Sequence, residues 1–262
     1  MDLSRYQTVV MDWGIGGLSV YREIKRRDPQ RGIVYFSDSG SIPYGKLLPQ
    51  QLESRVAQVW DHFMQQGILE MVIACNAAGT AAPQLRQRYA ARGFRIIDVI
   101  DSGIRMVKGT SLRRVGVIGG RRTILSRIYQ RALSTKRREI IGRIAQPLSA
   151  LIERGELNTP LMQETISTIL RPLRGMDGLL LACTHYPAIR HLIQPLVPDS
   201  EILDPSAMTA EELLATKGVQ RRNCRPDVFL TTGDPVQSRQ AARLAFGIEI
   251  DRFVRMELDP RE

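Results

Sequence analysis

MVIACNAAGTAA, residues 71–82, and LLLACTHYPAIR, residues 179–190, follow one plan: an apolar run, a cysteine, small or polar residues and a helical pattern. Their cysteines, Cys75 and Cys183, stand 108 positions apart (183 − 75). The same displacement carries TVVMDWGIGG (8–17) onto GVIGGRRTIL (116–125), and each of these predicts a strand, a glycine turn and a helix. We interpret the repeat as two related α/β domains, each with one cysteine at the carboxyl end of a strand.

Alternation of short apolar runs with longer amphipathic ones continues along the chain. This alternation predicts parallel sheets with helices on both faces. We expect a first domain from residues 1–100 and 209–262 and a second from residues 101–208. The predicted strands are 8–11, 33–36, 71–74, 95–98, 115–118, 178–182, 201–203 and 227–231, and the clearest predicted helices are 18–27, 49–66, 81–91, 124–133, 160–170 and 188–196.

Positive charge is concentrated in one segment. The chain has 262 residues and a net charge of +10, and residues 113–143 alone contain ten bases and one acid. Such a segment suits an anionic partner, whether nucleic acid, an acidic membrane surface or an acidic substrate. The apolar spacing within 124–133 instead predicts a solvated helix face, and only Arg121 and Arg122 fall at a turn where a cleft would open.

Several protein classes are excluded by the sequence. No run approaches the roughly 20 apolar residues of a membrane span. The first residues lack the layout of a signal peptide, so we expect a cytoplasmic protein without membrane contact. Three cysteines, the third being Cys224 in a stretch without a matching partner, argue against a disulfide framework. Without a CxxC or HxxxH pattern we expect no metal site.

The glycine turn MDWGIGG also deserves comparison with nucleotide-binding loops. Its spacing is G-x-G-G and not the G-x-G-x-x-G of a dinucleotide site. Neither the P-loop pattern nor the G-x-S-x-G of α/β-hydrolases occurs in the chain. Nucleotide binding is therefore the weaker interpretation of this turn.

Two cysteines facing each other across a cleft could exchange protons with one carbon atom. Each would precede a helix N-terminus, where partial positive charge favours a thiolate. One sulfur would remove a proton from one face of the carbon and the other would return a proton to the opposite face, which needs no cofactor in principle. Asp12 and His185 are the candidate acid/base partners, and Asn76 and Thr184 suit a carboxylate.

These blocks jointly resemble the aspartate/glutamate racemase family. The matching stretches are MDWGIGGLSVYREI (11–24), YFSDSGSIPYG (35–45), IACNAAGTAA (73–82), VGVIGGRRTILSRIY (115–129), PLSALIERGE (147–156), LLLACTHYP (179–187), ILDPSAMTAEEL (202–213) and FLTTGDPVQSRQ (229–240). The resemblance implies two flavodoxin-like parallel-sheet α/β domains related by pseudo-two-fold symmetry, with the active site in the cleft between them. It also implies a cofactor-independent racemase that makes D-glutamate for peptidoglycan in a bacterial cytoplasm.

Roles for individual residues follow from the same resemblance. Cys75 with Asp12 would serve one face of the substrate, and Cys183 with His185 and Glu153 the other. The residues expected to contact the substrate are Trp13, Ser39, Pro43, Tyr44, Gly45, Asn76, Ala77, Thr123 and Thr184. A homodimer is implied without a defined geometry, and a nucleic acid or DNA gyrase partner is only weakly indicated.

Two substrate-contacting positions depart from the family pattern. Trp13 stands in place of a serine, and Ala77 in place of a threonine, which removes one hydroxyl. The acid/base residues are retained, so the chemistry is better supported than the identity of the substrate. Two alternatives to glutamate racemisation stay open: a racemase or isomerase for a different carboxylate, and a catalytically impaired homologue that acts as a binding module.

Overall fold

Ten parallel strands form two separate sheets in the computed structural model, which describes residues 2–215 and 226–258. Several strands, including Thr8–Asp12 and Gly178–Ala182, are buried along their whole length. Continuous apolar runs of this kind are typical of parallel strands covered on both faces by helices. The strands are β1 (Thr8–Asp12), β2 (Ile33–Ser37), β3 (Glu70–Ile73), β4 (Arg95–Asp98), β5 (Arg114–Gly119), β6 (Glu139–Ile144), β7 (Gly178–Ala182), β8 (Glu201–Leu203), β9 (Val228–Thr231) and β10 (Val254–Arg255).

The two sheets share one strand order. The first runs β10-β9-β2-β1-β3-β4 and the second β6-β5-β7-β8, so each contains the flavodoxin-like order 2-1-3-4. The strand pair β1 and β3 therefore corresponds to β5 and β7, as the 108-residue displacement predicts. The predicted fold of two parallel-sheet α/β domains is confirmed.

Twelve α-helices connect and cover the strands in the part of the chain that the structure describes. They are α1 (Leu18–Arg27), α2 (Pro49–Gln65), α3 (Asn76–Gly79), α4 (Ala82–Ala90), α5 (Val99–Lys108), α6 (Arg121–Leu125), α7 (Ile128–Leu133), α8 (Gln146–Glu153), α9 (Pro160–Leu170), α10 (Arg190–Ile193), α11 (Ser206–Ala215) and α12 (Pro235–Phe246). None of them is both long and apolar enough to cross a membrane.

The prediction of a single helix over 124–133 is wrong, because the helix is interrupted between α6 and α7. Arg127 adopts a left-handed backbone conformation with φ of 55°. The Ser126 hydroxyl donates to the carbonyl of Thr123 at 2.7 Å and accepts from the amide of Ile128 at 3.3 Å. A side chain that bonds to nearby backbone groups in this way competes with helix continuation. The 188–196 helix is likewise reduced to α10 with 3-10 turns on both sides.

Two strands are absent from the sequence-based prediction. β6 lies at the edge of its sheet and within the basic segment, and its residues are mostly half-buried or exposed. Its polar residues Glu139 and Arg143 interrupt the apolar run that marks the central strands. β10 contains only two residues, which is too short for any periodic signal.

One apolar cluster joins the domains. It contains Val10 and Tyr35 from the first sheet and Ile118 and Leu181 from the second. Near it, the Ser206 hydroxyl of α11 donates to the hydroxyl of Ser19 in α1 at 3.0 Å. This shared core holds the carboxyl ends of β1 and β3 towards those of β5 and β7.

Candidate active site

A cavity of about 460 Å³ opens where the carboxyl ends of the two sheets meet. Asp12 ends β1 and Cys75 follows β3, while Gly120 follows β5 and Cys183 follows β7, and all four line the cavity. In each sheet these strands flank the point at which strand order reverses, the usual place for a ligand in an open α/β sheet. The predicted cleft between the domains thus has both cysteines in its wall.

On the first domain's side, Cys75 is paired with Asp12. Both are buried, and the carboxylate of Asp12 accepts the backbone amides of Trp13 at 2.7 Å and Gly17 at 2.6 Å. Burial raises the pKa of Asp12 above its ordinary value, although the neighbouring His185 opposes this. Burial also raises the pKa of the Cys75 thiol well above its usual range, and the charge of Asp12 adds to the effect.

The expectation of a thiolate at Cys75 is therefore wrong. The helix that follows it, α3, has only four residues, so the partial positive charge at its N-terminus stabilises a thiolate only weakly. Burial next to the Asp12 carboxylate destabilises the thiolate more strongly. Cys75 is held as a thiol, the form that can donate a proton.

On the second domain's side, Cys183 belongs to a chain of polar groups. Its sulfur lies 3.6 Å from His185 Nδ1 and 3.6 Å from the hydroxyl of Ser149. The other ring nitrogen of His185, Nε2, lies 2.6 Å from Glu153 Oε1. Burial lowers the pKa of His185, but its contacts with Cys183 and Glu153 raise it more, so that the pKa lies well above 6.5. The imidazole ring of His185 therefore lies between the sulfur of Cys183 and the carboxylate of Glu153.

The glycine turn after β1 allows side chains of the second domain to approach its backbone closely. A Cβ on Gly14 would lie 1.8 Å from Glu153 Oε1, and one on Gly16 would lie 2.4 Å from His185 Nδ1. Glu153 also accepts the amide of Ile15 at 2.8 Å. The G-x-G-G spacing is therefore explained by close approach of side chains across the cleft, without any nucleotide.

Most of the predicted substrate-contacting residues line the cavity. Ser39 does not: its hydroxyl lies 3.1 Å from the hydroxyl of Thr231, at the neighbouring strand β9. Trp13 forms part of the wall, and its indole N–H donates to the carbonyl of Ser41 at 3.3 Å, which fixes the ring. The predicted residues in the wall besides the acid/base groups are Trp13, Pro43, Tyr44, Gly45, Asn76, Ala77, Thr123 and Thr184.

The two arginines predicted at the cleft mouth behave differently. Arg121 is exposed and lines the cavity. Arg122 turns away and donates to the carbonyl of Leu47. The prediction for Cys224 lies outside the described residues. Among residues 2–215 and 226–258, no three His, Cys, Asp or Glu side chains are grouped to hold a metal ion.

Several residues of the site were missed by the sequence analysis. Ser149 and Gln146 face the cavity from α8, where only the glutamate of that helix had been singled out. Behind Tyr44, the fully buried Asp38 accepts the tyrosine hydroxyl at 2.7 Å and forms a salt bridge of 2.6 Å with Arg55. The stretch YFSDSGSIPYG (35–45) did contain Asp38, but its spacing alone does not show that this carboxylate holds the cavity wall.

Comparison with known proteins agrees with this geometry. A profile of the Asp/Glu/hydantoin racemase family matches residues 9–213. A glutamate racemase from Ectopseudomonas mendocina is 34% identical over 257 residues, which cover 92% of this chain and 94% of that protein.

Solved structures agree as well. The glutamate racemase isoform RacE1 from Bacillus anthracis superposes with a TM-score of 0.87 at 30% identity, covering 97% of this chain and 98% of that one. A glutamate racemase from Francisella tularensis in complex with D-glutamate superposes with a TM-score of 0.86 at 25% identity, covering 98% of this chain and 99% of that one. The chain therefore belongs to the Asp/Glu/hydantoin racemase family of enzymes.

Proposed function

We propose that this protein interconverts L- and D-glutamate, or a related acidic amino acid, by a cofactor-independent mechanism in which two cysteines act on opposite faces of the α-carbon. The observation that carries the proposal is the pairing of Cys75 and Cys183 in one cavity wall. They occupy equivalent positions of the two sheets, and each has its own ionisable partner, Asp12 for one and His185 for the other.

The two sulfurs have different ionisable neighbours and act on opposite faces of the carbon. In one direction the sulfur of Cys183, 3.6 Å from His185 Nδ1, takes the α-proton, and the C–H electron pair stays on the substrate as a carbanion. Cys75, held as a thiol beside Asp12, breaks its S–H bond and delivers that proton to the other face of the carbon. The product has the inverted configuration, and the proton taken by Cys183 is exchangeable with water before the next turnover.

Recognition of a carboxylate is supported by the polar groups at the strand ends. The amide nitrogen of Asn76 is buried and has no partner among the described residues, which makes it a donor available to a ligand. Thr184 is buried and also faces the cavity, where its hydroxyl donates to Asp12 Oδ2 at 3.4 Å. A volume of about 460 Å³ suits a small molecule. The closely similar relatives carry the name glutamate racemase, which favours glutamate within this class.

A different carboxylate substrate is the second candidate, and Trp13 is the observation that favours it. Its indole is held in the cavity wall by the bond to Ser41, and the neighbouring Ala77 offers no hydroxyl to a charged group. A wall that is more apolar here suits a substrate that places less charge against it. Aspartate, whose side-chain carboxylate is one methylene closer to the α-carbon, therefore belongs in the same assay.

The experiment follows loss of the α-proton signal by NMR in D₂O for both enantiomers of glutamate and aspartate. Exchange together with inversion is expected for the wild type. Cys75→Ala and Cys183→Ala should each abolish inversion, because each removes one of the two proton carriers. Ser200→Ala serves as control: this buried hydroxyl donates to the Met176 carbonyl at 2.7 Å, outside the cavity. Absence of exchange with every substrate would refute the proposal and favour the binding-module alternative.

The wider biological role is part of the same proposal and rests on the family resemblance. It comprises a supply of D-glutamate for peptidoglycan and a cytoplasmic location. The homodimer stays a prediction, as does a nucleic acid or gyrase partner.

A further inference from the structure

A hydrogen bond across the cleft joins the second domain to the donor that faces the cavity. The Tyr129 hydroxyl of α7 donates to Asn76 Oδ1 of α3 at 2.6 Å, and both residues are buried. The other end of the same amide, Nδ2, is buried without a partner among the described residues. The bond is therefore made to one end of the amide only, and the opposite end is left for the cavity that Asn76 lines.

The interruption of the helix at Arg127 brings Tyr129 to this position. α6 ends at Leu125, the left-handed Arg127 turns the backbone, and α7 begins at Ile128 in a new direction. The ring of Tyr129 then packs among apolar side chains that include Ile100 of α5 and Val117 of β5. Space for the hydroxyl is provided by Gly103 of α5, where a Cβ would lie 3.1 Å from it.

We infer that Tyr129 is a positioning residue for substrate binding: its hydroxyl fixes the Asn76 amide so that Nδ2, and not the oxygen, faces the substrate carboxylate. An amide that rotated by half a turn would present an acceptor to an anion, which is repulsive. It would also turn an N–H towards Tyr129, whose oxygen can accept that hydrogen bond but whose own O–H would lose Oδ1 as its acceptor. Since a phenolic hydroxyl of a buried tyrosine needs an acceptor, it selects the orientation in which Oδ1 points towards it. The inference rests on the proposed racemase function.

The bond also makes carboxylate recognition depend on both domains. Asn76 belongs to the first domain, beside Cys75, whereas Tyr129 belongs to the basic segment of the second. The donor in one domain is therefore oriented by a residue of the other. The interaction acts on the bound substrate and not selectively on the transition state, so its loss should appear in KM more than in kcat.

The test compares the kinetics of glutamate racemisation in four proteins: wild type, Tyr129→Phe, Asn76→Ala and the double variant. Tyr129→Phe keeps the ring in its core and removes only the hydroxyl. We expect it to raise KM about tenfold, equivalent to ~1.4 kcal/mol, with kcat changed by less than about threefold. In the Asn76→Ala background the same substitution should have no further effect, because Tyr129 acts through that amide.

Tyr89→Phe is the matched control. This buried tyrosine donates to the Ala57 carbonyl at 3.0 Å and does not line the cavity, so its variant should keep the wild-type KM. Thermal unfolding of both variants separates a general loss of stability from an effect on binding.

Three outcomes overturn the inference: an unchanged KM in Tyr129→Phe, a loss confined to kcat, or effects of Tyr129→Phe and Asn76→Ala that simply add. Any of them, with an active wild type, leaves the proposed racemase function intact. A wild type that neither racemises an acidic amino acid nor binds D-glutamate by calorimetry would instead remove the proposed function, and this inference with it.

Discussion

An alanine at position 14 would displace Glu153, one of the proposed acid/base residues, by direct steric contact. Gly14 does not adopt the left-handed backbone conformation, so alanine is tolerated there by the backbone itself. Its Cβ, however, would lie 1.8 Å from Glu153 Oε1 and 2.8 Å from Cδ. Ordinary contact begins at 3.4 Å, so the carboxylate must retreat by about 1.6 Å (3.4 − 1.8).

A displacement of that size breaks both bonds that the carboxylate makes. They are the 2.6 Å contact with His185 Nε2 and the 2.8 Å bond from the amide of Ile15. Each hydrogen bond to a charged group contributes about 1.5–3 kcal/mol. Misplacement of a catalytic group by about 1 Å costs about a hundredfold in rate. We therefore expect Gly14→Ala to lower kcat/KM about a hundredfold and to lower the pKa of His185, which loses one of the two contacts that raise it.

The assay is α-proton exchange and inversion of glutamate across a range of pH, with thermal unfolding measured in parallel. Gly109→Ala is the control, because its Cβ would meet nothing closer than the Met106 carbonyl oxygen at 3.4 Å. Since the group that must move is the end of a flexible side chain, Gly14→Ala should still fold. Wild-type kcat/KM in Gly14→Ala, with the pH profile unchanged, would show that Glu153 does not orient His185.

Three further predictions follow from the same contacts. The folded-state pKa of His185 lies well above 6.5. The contribution of its protonated form to the free energy of unfolding is therefore fully present below about pH 6.5 and is lost as the pH rises through the folded-state pKa. Glu153→Gln should make the free energy of unfolding, measured with urea, fall less steeply with pH. Asp38→Ala leaves Arg55 without its buried partner and should lower the free energy of unfolding by about 3–5 kcal/mol, whereas a loss below ~1 kcal/mol in chemical denaturation would contradict the importance of that pair. Trp13→Ser and Ala77→Thr each place a hydroxyl in the cavity wall and should raise kcat/KM for glutamate, by about tenfold or more if that hydroxyl bonds a carboxylate. If neither variant improves glutamate turnover, these positions do not set the substrate.

The positions of the two cysteines could be predicted from the sequence because strand ends are local features. A buried parallel strand must be a continuous apolar run, and MVIA and LLLA end at residues of a different kind. Once two such runs are matched, parallel-sheet geometry places Cys75 and Cys183 at corresponding edges of two sheets. The same reasoning failed at β6, where an edge strand carries polar residues and lacks a continuous apolar run.

The proton states of the site could not be predicted in this way. Residue type and a following helix predicted a thiolate at both cysteines, but the pKa of Cys75 is set by its burial beside Asp12. Burial and charge neighbours come from segments far apart in the chain. The bond from Tyr129 to Asn76 spans 53 positions and depends on a turn at Arg127 that the apolar periodicity of 124–133 conceals.

The sequence by itself therefore determined the two-domain α/β fold, the strand ends at which chemistry is placed and the residue types available there, because each of these depends on a short periodic stretch and on the internal repeat. Only the tertiary structure decided what those residues face. It placed the side chains of Glu153 and His185 against the backbone of Gly14 and Gly16, raised the pKa of the Cys75 thiol, and left Ser39 outside the cavity wall. The physical reason is that burial, electrostatic neighbours and the free space beside a backbone atom depend on side chains brought together from both domains.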